Sequence, residues 1–475
     1  MAPQTPADEE TPLLHAQQQK RVRTPLPLRQ ILILLLLQLA EPLTSQLIRD
    51  IGVTHGDETK HSLFFATQAL TILHWSRLSD HIGRKPVILI GLFGLSLSMY
   101  CFGLSKTFVG LVLSRALNGA LNGNVGILKS MVAEITDETN IAQAYAYMPL
   151  AWSSGGTLGP LIGGSLSRPA DRFPDLFGNV EFFKTYPYFL ACAVPATFTA
   201  IAWIIMFFFL EETHPRRIPF GKLIRSKFGK KRNTGKSSVS AQSSTETLAG
   251  NEHSQAIDEN TPLPLRAVLI PRVLIAAGNY AMLSMTEIAF RTVQPLFYST
   301  PIELGGLGLD PPLIGNILST YGLLNGVFQI FFFRPLHDRF GSKAIYTTAM
   351  LSGIPLILTF PLIHALGNVY GVNWAVWCMI GLQVVFSVAL NVGYSCIFIY
   401  IAASSPNRGS LGATNGVAQM VVSIMRTFGP GSAASVFSIS IERPGNWWIV
   451  HSFLMAFVFV SIGASLLLPR KLWKN

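Results

Sequence analysis

The stretch "WSRLSDHIGRKPVILIG" (residues 75–91) sets Arg77, Asp80, Arg84 and Lys85, with one histidine and one glycine, between two apolar runs. Outward from it, apolar stretches long enough to cross a bilayer recur to both ends of the chain. Of the 475 residues 49% are hydrophobic and only 13% charged, roughly half the charged share of a soluble domain. These features predict an all-α membrane protein with many spans rather than a set of soluble domains.

Twelve candidate spans begin near Gln30, Ser62, Pro86, Thr107, Ile141, Tyr186, Ala267, Pro312, Lys343, Asn373, Gly409 and Asn446. The stretch 211–265 divides them six and six. Its "FGKLIRSKFGKKR" and the Ser/Thr-rich run after it lack the apolar content to fold, so a disordered linker is expected there. The predicted parts are a tail (1–28), a six-helix bundle (29–210), the linker (211–265), a second six-helix bundle (266–469) and a short tail (470–475).

The net charge of +11 needs no nucleic acid. Lys20, Arg21, Arg23, Arg29, Arg77, Arg84, Lys85, most linker cations, Arg334, Arg339, Lys343, Arg408, Arg470, Lys471 and Lys474 fall on one side of such a layout. Only Arg49, Lys60, Lys106, Arg168, Arg172, Lys184 and Arg443 fall on the other. The positive-inside rule then puts both termini in the cytoplasm. The first span is expected to serve as its own insertion signal. Cys101, Cys192, Cys378 and Cys396 lie in apolar segments without paired spacing and read as small hydrophobes, not as disulfides or metal ligands.

The halves echo each other. "SDHIGRK" (79–85) returns as "HDRFGSK" (337–343), with Asp80/Asp338, Gly83/Gly341 and Lys85/Lys343 each 258 apart. "TLGP" (157–160) returns as "TFGP" (427–430), and "TPLPLR" (24–29) recurs at 261–266. Three matches in one order point to duplication.

Ionisable groups at bilayer depth mark substrate and proton sites. Glu41, Arg115, Glu287, Arg291 and Arg426 qualify. Desolvation favours the protonated form of a carboxylate, so Glu41 and Glu287 are the candidate coupling acids. Glu287 and Arg291, four apart on one helix, are equally suited to pair with each other. Asn118, Asn122 and Asn124, with Gln38 and Gln294, either line a cavity or bond helix to helix. Tyr298, Phe297, Tyr321 and Phe328 are candidates for an apolar wall.

Three motifs carry a family resemblance. Ser76 to Lys85 follows the pattern G-x-L-x-D-R-x-G-R-[KR], with Ser for the first Gly and His81 for the usual Arg. Arg115 to Gly119 reads R-x-x-x-G. Gly155 to Gly164 reads G-x-x-x-G-P-x-x-G-G without a change. From about residue 26 onward the chain resembles the major facilitator superfamily, in particular its twelve-span drug:proton antiporter branch and a fungal group related to zinc-induced-facilitator-like carriers. The Leu210–Thr213 ending of the sixth span also resembles family members.

The resemblance implies two pseudo-symmetric six-helix bundles around a central cavity. It implies alternating access for a small organic molecule, proton-coupled antiport, no cofactor and a monomer in the bilayer. A uniporter or symporter, or a non-transporting sensor derived from a carrier, remains open; an enzyme is not expected. It implies a cytoplasmic gate of Asp80, Gly83, Arg84, Lys85 and Glu134, with Asp80 at the start of the eleventh helix, repeated at Asp338, Arg339 and Gly341. Gly155, Gly159, Gly163 and Gly164 would pack helices closely, and Pro160 would permit a bend. "EETPLL" (9–14) resembles an acidic dileucine signal, so a vacuolar or plasma membrane is expected.

The first hairpin reads as shortened. Arg29 to Asp80 is 51 residues, against 72 from Arg266 to Asp338, and only about 13 apolar residues remain for the second span. A first or second helix shorter than its counterpart is expected.

Overall fold

A computed structural model describes residues 24–50, 58–214, 261–442 and 448–473. The helices of the first half are α1 (Leu28–Asp50), α2 (Glu58–Ile82), α3 (Arg84–Gly103), α4 (Phe108–Leu121), α5 (Asn124–Ile135), α6 (Ile141–Leu166) and α7 (Phe189–Phe209). Those of the second are α8 (Pro271–Ser299), α9 (Pro311–Phe331), α10 (Phe333–Leu351), α11 (Gly353–Tyr370), α12 (Trp374–Ser404), α13 (Leu411–Glu442) and α14 (Ile449–Leu466). Short helical turns join α6 to α7, and no strand occurs among the described residues.

These helices make twelve passes. α4 and α5 are one pass, broken where Asn122 leaves helical geometry. α9 runs on into α10 as far as Gly341, whose φ of 75° ends the eighth pass, and the rest of α10 joins α11 as the ninth. Helix starts follow local chemistry. The Thr107 side chain accepts from Gly110 N at the start of α4, Asn373 accepts from Ala375 N and Val376 N at α12, and Pro271 and Pro311 occupy first helical positions.

Among the described residues, α3, α7, α8, α10–α11, α12 and α14 are long and apolar enough to cross a membrane by composition alone. α3, α7, α11 and α14 turn residues such as Phe93, Ile201, Leu362 and Phe459 outward, as lipid-facing helices must. The other passes trade apolarity for small and polar faces that meet other helices. Asn325 on α9 donates to Ser153 on α6 (3.0 Å), and Asn415 on α13 donates to Ser130 on α5 (3.0 Å).

The duplication is visible in the packing. α1 lies along α6 as α8 lies along α13, and the halves meet where α2 follows α13 and α9 follows α6. Both "TPLPLR" segments dock on equivalent loops. Thr24 N donates to Thr139 before α6, while Leu263 N donates to Ser410 and Asn407 donates to Thr261 O before α13. In the Gly155–Gly164 motif the close approach belongs to Gly155, where a Cβ would lie 2.5 Å from Pro42 and 2.7 Å from Leu39 O on α1. Gly164 has open space around it, Gly159 is buried, and α6 continues through Gly163 without interruption. The Pro160 side chain lies outside the described residues.

α1 has 23 residues against 29 in its counterpart α8, as the short hairpin requires. The second pass is not the 13-residue stub its apolar run suggests. α2 extends to 25 residues by taking in polar positions at both ends; Ser76, Ser79 and Asp80 are buried there against α13. The dileucine stretch (9–14) and linker residues 215–260 lie outside the described residues.

Candidate functional site

At one end of the bundle the turn between α2 and α3 closes the seam between the halves. Gly83 adopts φ 104°, a region that glycine enters without strain. This lets Arg84 fold back beneath α2. Its guanidinium Nη1 donates to Asp80 (2.5 Å) and Ser79 (2.7 Å), while Nε (3.1 Å) and Nη2 (2.9 Å) donate to Glu134 at the end of α5. Asp80 in turn accepts from the backbone N–H groups of Gly412 (3.0 Å) and Ala413 (2.7 Å). These are otherwise unsatisfied donors in the first turn of α13, where a carboxylate is also favoured by the helix dipole. Gly412 is obligatory in this contact, because a Cβ there would lie 2.3 Å from both Arg84 Nη1 and Asp80 Oδ1. Arg84 and Asp80 are 0% and 2% exposed, so the pair is a desolvated one within the first half rather than a surface ion pair, and its Asp80 carboxylate makes the latch to the second half.

The latch has a part that the sequence reading assigned to the linker. The Glu212 carboxylate accepts from the N–H groups of Arg84 (2.8 Å) and Lys85 (3.2 Å), capping α3, and the Thr213 hydroxyl donates to Glu134. His214 is buried beside them. Burial holds its imidazole below the usual range, and the Arg84 charge acts in the same direction.

The repeated turn does not form a second latch of this kind. Gly341 keeps its positive φ, but Asp338 and Arg339 are exposed, and the Arg339 guanidinium lies over Phe340 (5.3 Å). The residue equivalent to Arg84 is Ser342, hydrogen-bonded to His337 (2.8 Å). Lys343 Nζ donates to the carbonyl of Leu466 (3.1 Å) within its own half. The contact across the seam comes instead from Arg334, which donates to Gln143 on α6 (2.5 Å).

Between the halves lie two adjoining cavities that share Trp152 and Glu287. The larger, about 580 Å³, is lined from α6, α8, α9 and α12. The smaller, about 40 Å³, is lined by Gln38, Lys129, Tyr280, Asn391, Tyr394, Phe398, Gln419 and Arg426 among others. Glu287, Arg291 and Arg426 therefore stand at the cavity, with Gln38, Gln294 and Tyr321. Glu287 and Arg291 do pair (2.5 Å), and Tyr394 donates to Glu287 (3.0 Å).

Glu41, Arg115, Asn118 and Asn122 are buried but outside the cavity linings. Asn122 donates to Glu41 (2.8 Å) between α5's break and α1. Arg115 lies over the Phe64 ring (5.2 Å) with none of its guanidinium nitrogens hydrogen-bonded. Asn124 fits over Gly91 of α3. Phe297 packs on Phe360 (5.0 Å), Tyr298 donates to Gln383, and Phe328 stacks on Phe332. Of the four expected aromatics Tyr321 does line the cavity, and the rest of the aromatic wall is built from Trp152, Phe290, Tyr394 and Phe398.

The sequence reading missed Lys129. It sits on α5, 3% exposed, and its Nζ donates to Tyr280 Oη and Gln419 Oε1 at 2.8 Å each. The criterion of an ionisable group at bilayer depth applied to it as much as to Arg115. Its place five residues before Glu134 made it look like part of the charged helix end. Among the described residues no group of His, Cys, Asp or Glu is placed to hold a metal ion.

The sequence profile of the Major Facilitator Superfamily matches residues 42–430. The multidrug transporter mfsB of Aspergillus fumigatus is 27% identical, over 89% of this chain and 81% of its own length. The Arabidopsis thaliana protein ZINC INDUCED FACILITATOR 1 is 26% identical, over 85% and 80%. The crystal structure of the human organic anion transporter MFSD10 superimposes with a TM-score of 0.66, covering 93% of this chain and 100% of that one at 18% identity.

Proposed function

The chain belongs to the Major Facilitator Superfamily, and on that premise we propose that it moves a small organic molecule across a membrane by alternating access, in exchange for protons. The observation that carries this reading is a closed latch at one end of a cavity flanked by both halves. Lys and Arg crowd the latch end, so it is the cytoplasmic end, and the molecule faces outward. Opening inward requires Asp80 to leave the first turn of α13 while the opposite end closes. Glu41, buried and hydrogen-bonded to Asn122, and Glu287, at the cavity beside Arg291, are the groups to take up and release the proton. The relation to a multidrug transporter supports a drug, toxin or metabolite as cargo.

Comparing the solutes retained by cells with and without the chain identifies cargo, and purified protein in acid-loaded vesicles then tests coupling. Cargo should accumulate inside as the lumen loses protons, and E41Q or E287Q should abolish the pH-driven part. Movement down the cargo gradient alone would leave a uniporter. No cargo-specific flux from folded protein would remove the transport reading.

A further inference from the structure

The small cavity contains an imbalance of charge that its neutral partners do not settle. Lys129 is held by a phenol and an amide, with the rings of Phe398 and Tyr280 at 4.2 and 4.5 Å from Nζ. Arg426 has one long bond from Nε to the Ser284 hydroxyl (3.4 Å) and lies over Trp152 (4.9 Å) and Phe65 (5.7 Å). Ring faces attract cations but leave the formal charge in place. Among the described residues, no carboxylate lies within ion-pair distance of either group. Of the acids nearby, Glu287 is paired with Arg291 and hydrogen-bonded by Tyr394, while Glu41, hydrogen-bonded by the neutral Asn122, acts on both cations only from beyond ion-pair distance. Two cations therefore face one low-dielectric space and repel each other, an arrangement that an anion relieves and a further cation worsens.

Geometry narrows the anion. The Lys129 ammonium has three N–H bonds, two of them given to Tyr280 and Gln419, which leaves one. Arg426 makes no hydrogen bond through its Nη atoms among the described residues. The cavity of about 40 Å³ has room for a few water-sized groups, enough for a carboxylate and too little for a ring system. Past Trp152 it adjoins the space of about 580 Å³ walled by Phe290, Tyr321, Leu318, Leu390 and Leu161, which suits an apolar body.

We propose that Lys129 and Arg426 form a head-group site for organic anions, with the carboxylate in the small cavity and an aromatic body in the large one. This deepens the transport reading and rests on it for its role. Lys129 belongs to the first half, whereas Tyr280, Gln419 and Arg426 belong to the second. A carboxylate bound at both cations bridges the halves, and it competes with Tyr280 and Gln419 for the ammonium. Binding thereby loosens the contact that holds α5 to α8 and α13.

The test uses the purified full chain and three probes of similar shape: 1-naphthoate, 1-naphthamide and 1-naphthylmethylammonium. Naphthoate should raise the melting temperature in a saturable way, while the neutral and cationic probes, and chloride or phosphate at equal ionic strength, should not. K129Q and R426Q should each weaken naphthoate binding at least about tenfold, and K129R should retain most of it. Equal binding of the amide or the ammonium probe, or unchanged affinity in both Gln variants, overturns the proposal. Inorganic anions competing as well as naphthoate would also overturn it, by reducing the site to a simple ion site. If a variant fails to fold, the probe series on the unaltered protein still decides. In vesicles, naphthoate binding without flux removes the transport reading and leaves the site. Naphthoate flux that K129Q does not alter removes the site and leaves transport.

Discussion

The turns at 79–85 and 337–343 share a backbone device and little else. Both bend at a glycine with positive φ, 104° at Gly83 and 75° at Gly341. In the first turn that bend places Arg84 between the buried Asp80 and the half-buried Glu134, with Asp80 on the N-terminus of α13 and Glu212 closing α3. In the second, serine replaces the arginine, and Asp338 and Arg339 face outward. Duplication has preserved the fold of the turn, while the electrostatic work has gone to one copy. The seam between α2 and α13 is therefore held by a buried, ion-paired carboxylate that accepts from backbone N–H groups of α13, and the seam between α9–α10 and α6 by neutral and single-charge hydrogen bonds such as Asn325–Ser153 and Arg334–Gln143.

The largest expected effect comes from comparing D80A with D338A. Breaking a buried pair costs about 3–5 kcal/mol, and D80A should approach the lower end because Arg84 keeps Glu134. D338A removes an exposed charge, for which about 1 kcal/mol is an upper expectation. Spin labels at the exposed positions Glu138 and Arg408, one in each half, report the separation at the latch end. D80A should shift that distance outward and cut transport, and D338A should leave both near the unaltered values. Equal responses would mean that the two turns share the load.

The sequence made the repeat legible because spacing survives duplication: the Asp-x-x-Gly interval and the "TPLPLR" entry are one-dimensional signals with direct structural counterparts. It made the first latch legible for the same reason, through Asp80, Gly83 and Arg84. It could not distinguish the second copy from the first, because the difference lies in what surrounds each turn. Glu134 and Glu212 converge on Arg84 from 50 and 128 residues away. Lys129 was hidden by a similar limit, since its depth depends on where α5 ends and its partners lie on α8 and α13. Apart from Tyr321, the aromatic wall was misassigned, because aromatics are spread over many helices here and only packing separates Phe398 at the cavity from Phe297 in the core.

A smaller effect should follow from G83A and G341A. Each forces a side chain into a region of positive φ and extended ψ that is essentially confined to glycine, at roughly 1–3 kcal/mol. Gly341 has open space around it, so strain is its whole cost. At Gly83 the added Cβ would lie 2.5 Å from the Glu212 carboxylate, so the cap on α3 must also move. Thermal melts of the purified variants should therefore show the larger drop for G83A. In the double variant G83A/E212Q part of that excess should disappear. A drop for G341A as large as that for G83A would place unseen packing at the second turn.

The smallest expected effect is an acid dependence, and it separates the turns by a different route. His214 is held below its ordinary value of 6.5 by burial first and by Arg84 second, while Glu134, Asp80 and Glu212 oppose them. A histidine whose folded value is depressed stabilises through its neutral form. That contribution is complete above about 6.5 and is lost as pH falls through the lower folded value. The His337 ring, by contrast, hydrogen-bonds Ser342 inside one turn. Acidifying from about pH 8 to about pH 5 should lengthen the label distance in the unaltered protein. H214Q should flatten that response and H337Q should preserve it, because the His214 ring is buried where it feels the charges of Arg84, Glu134 and Asp80 at the latch. The reverse pattern would show that the second turn, with Asp338 and Arg339 exposed, still governs the closed end.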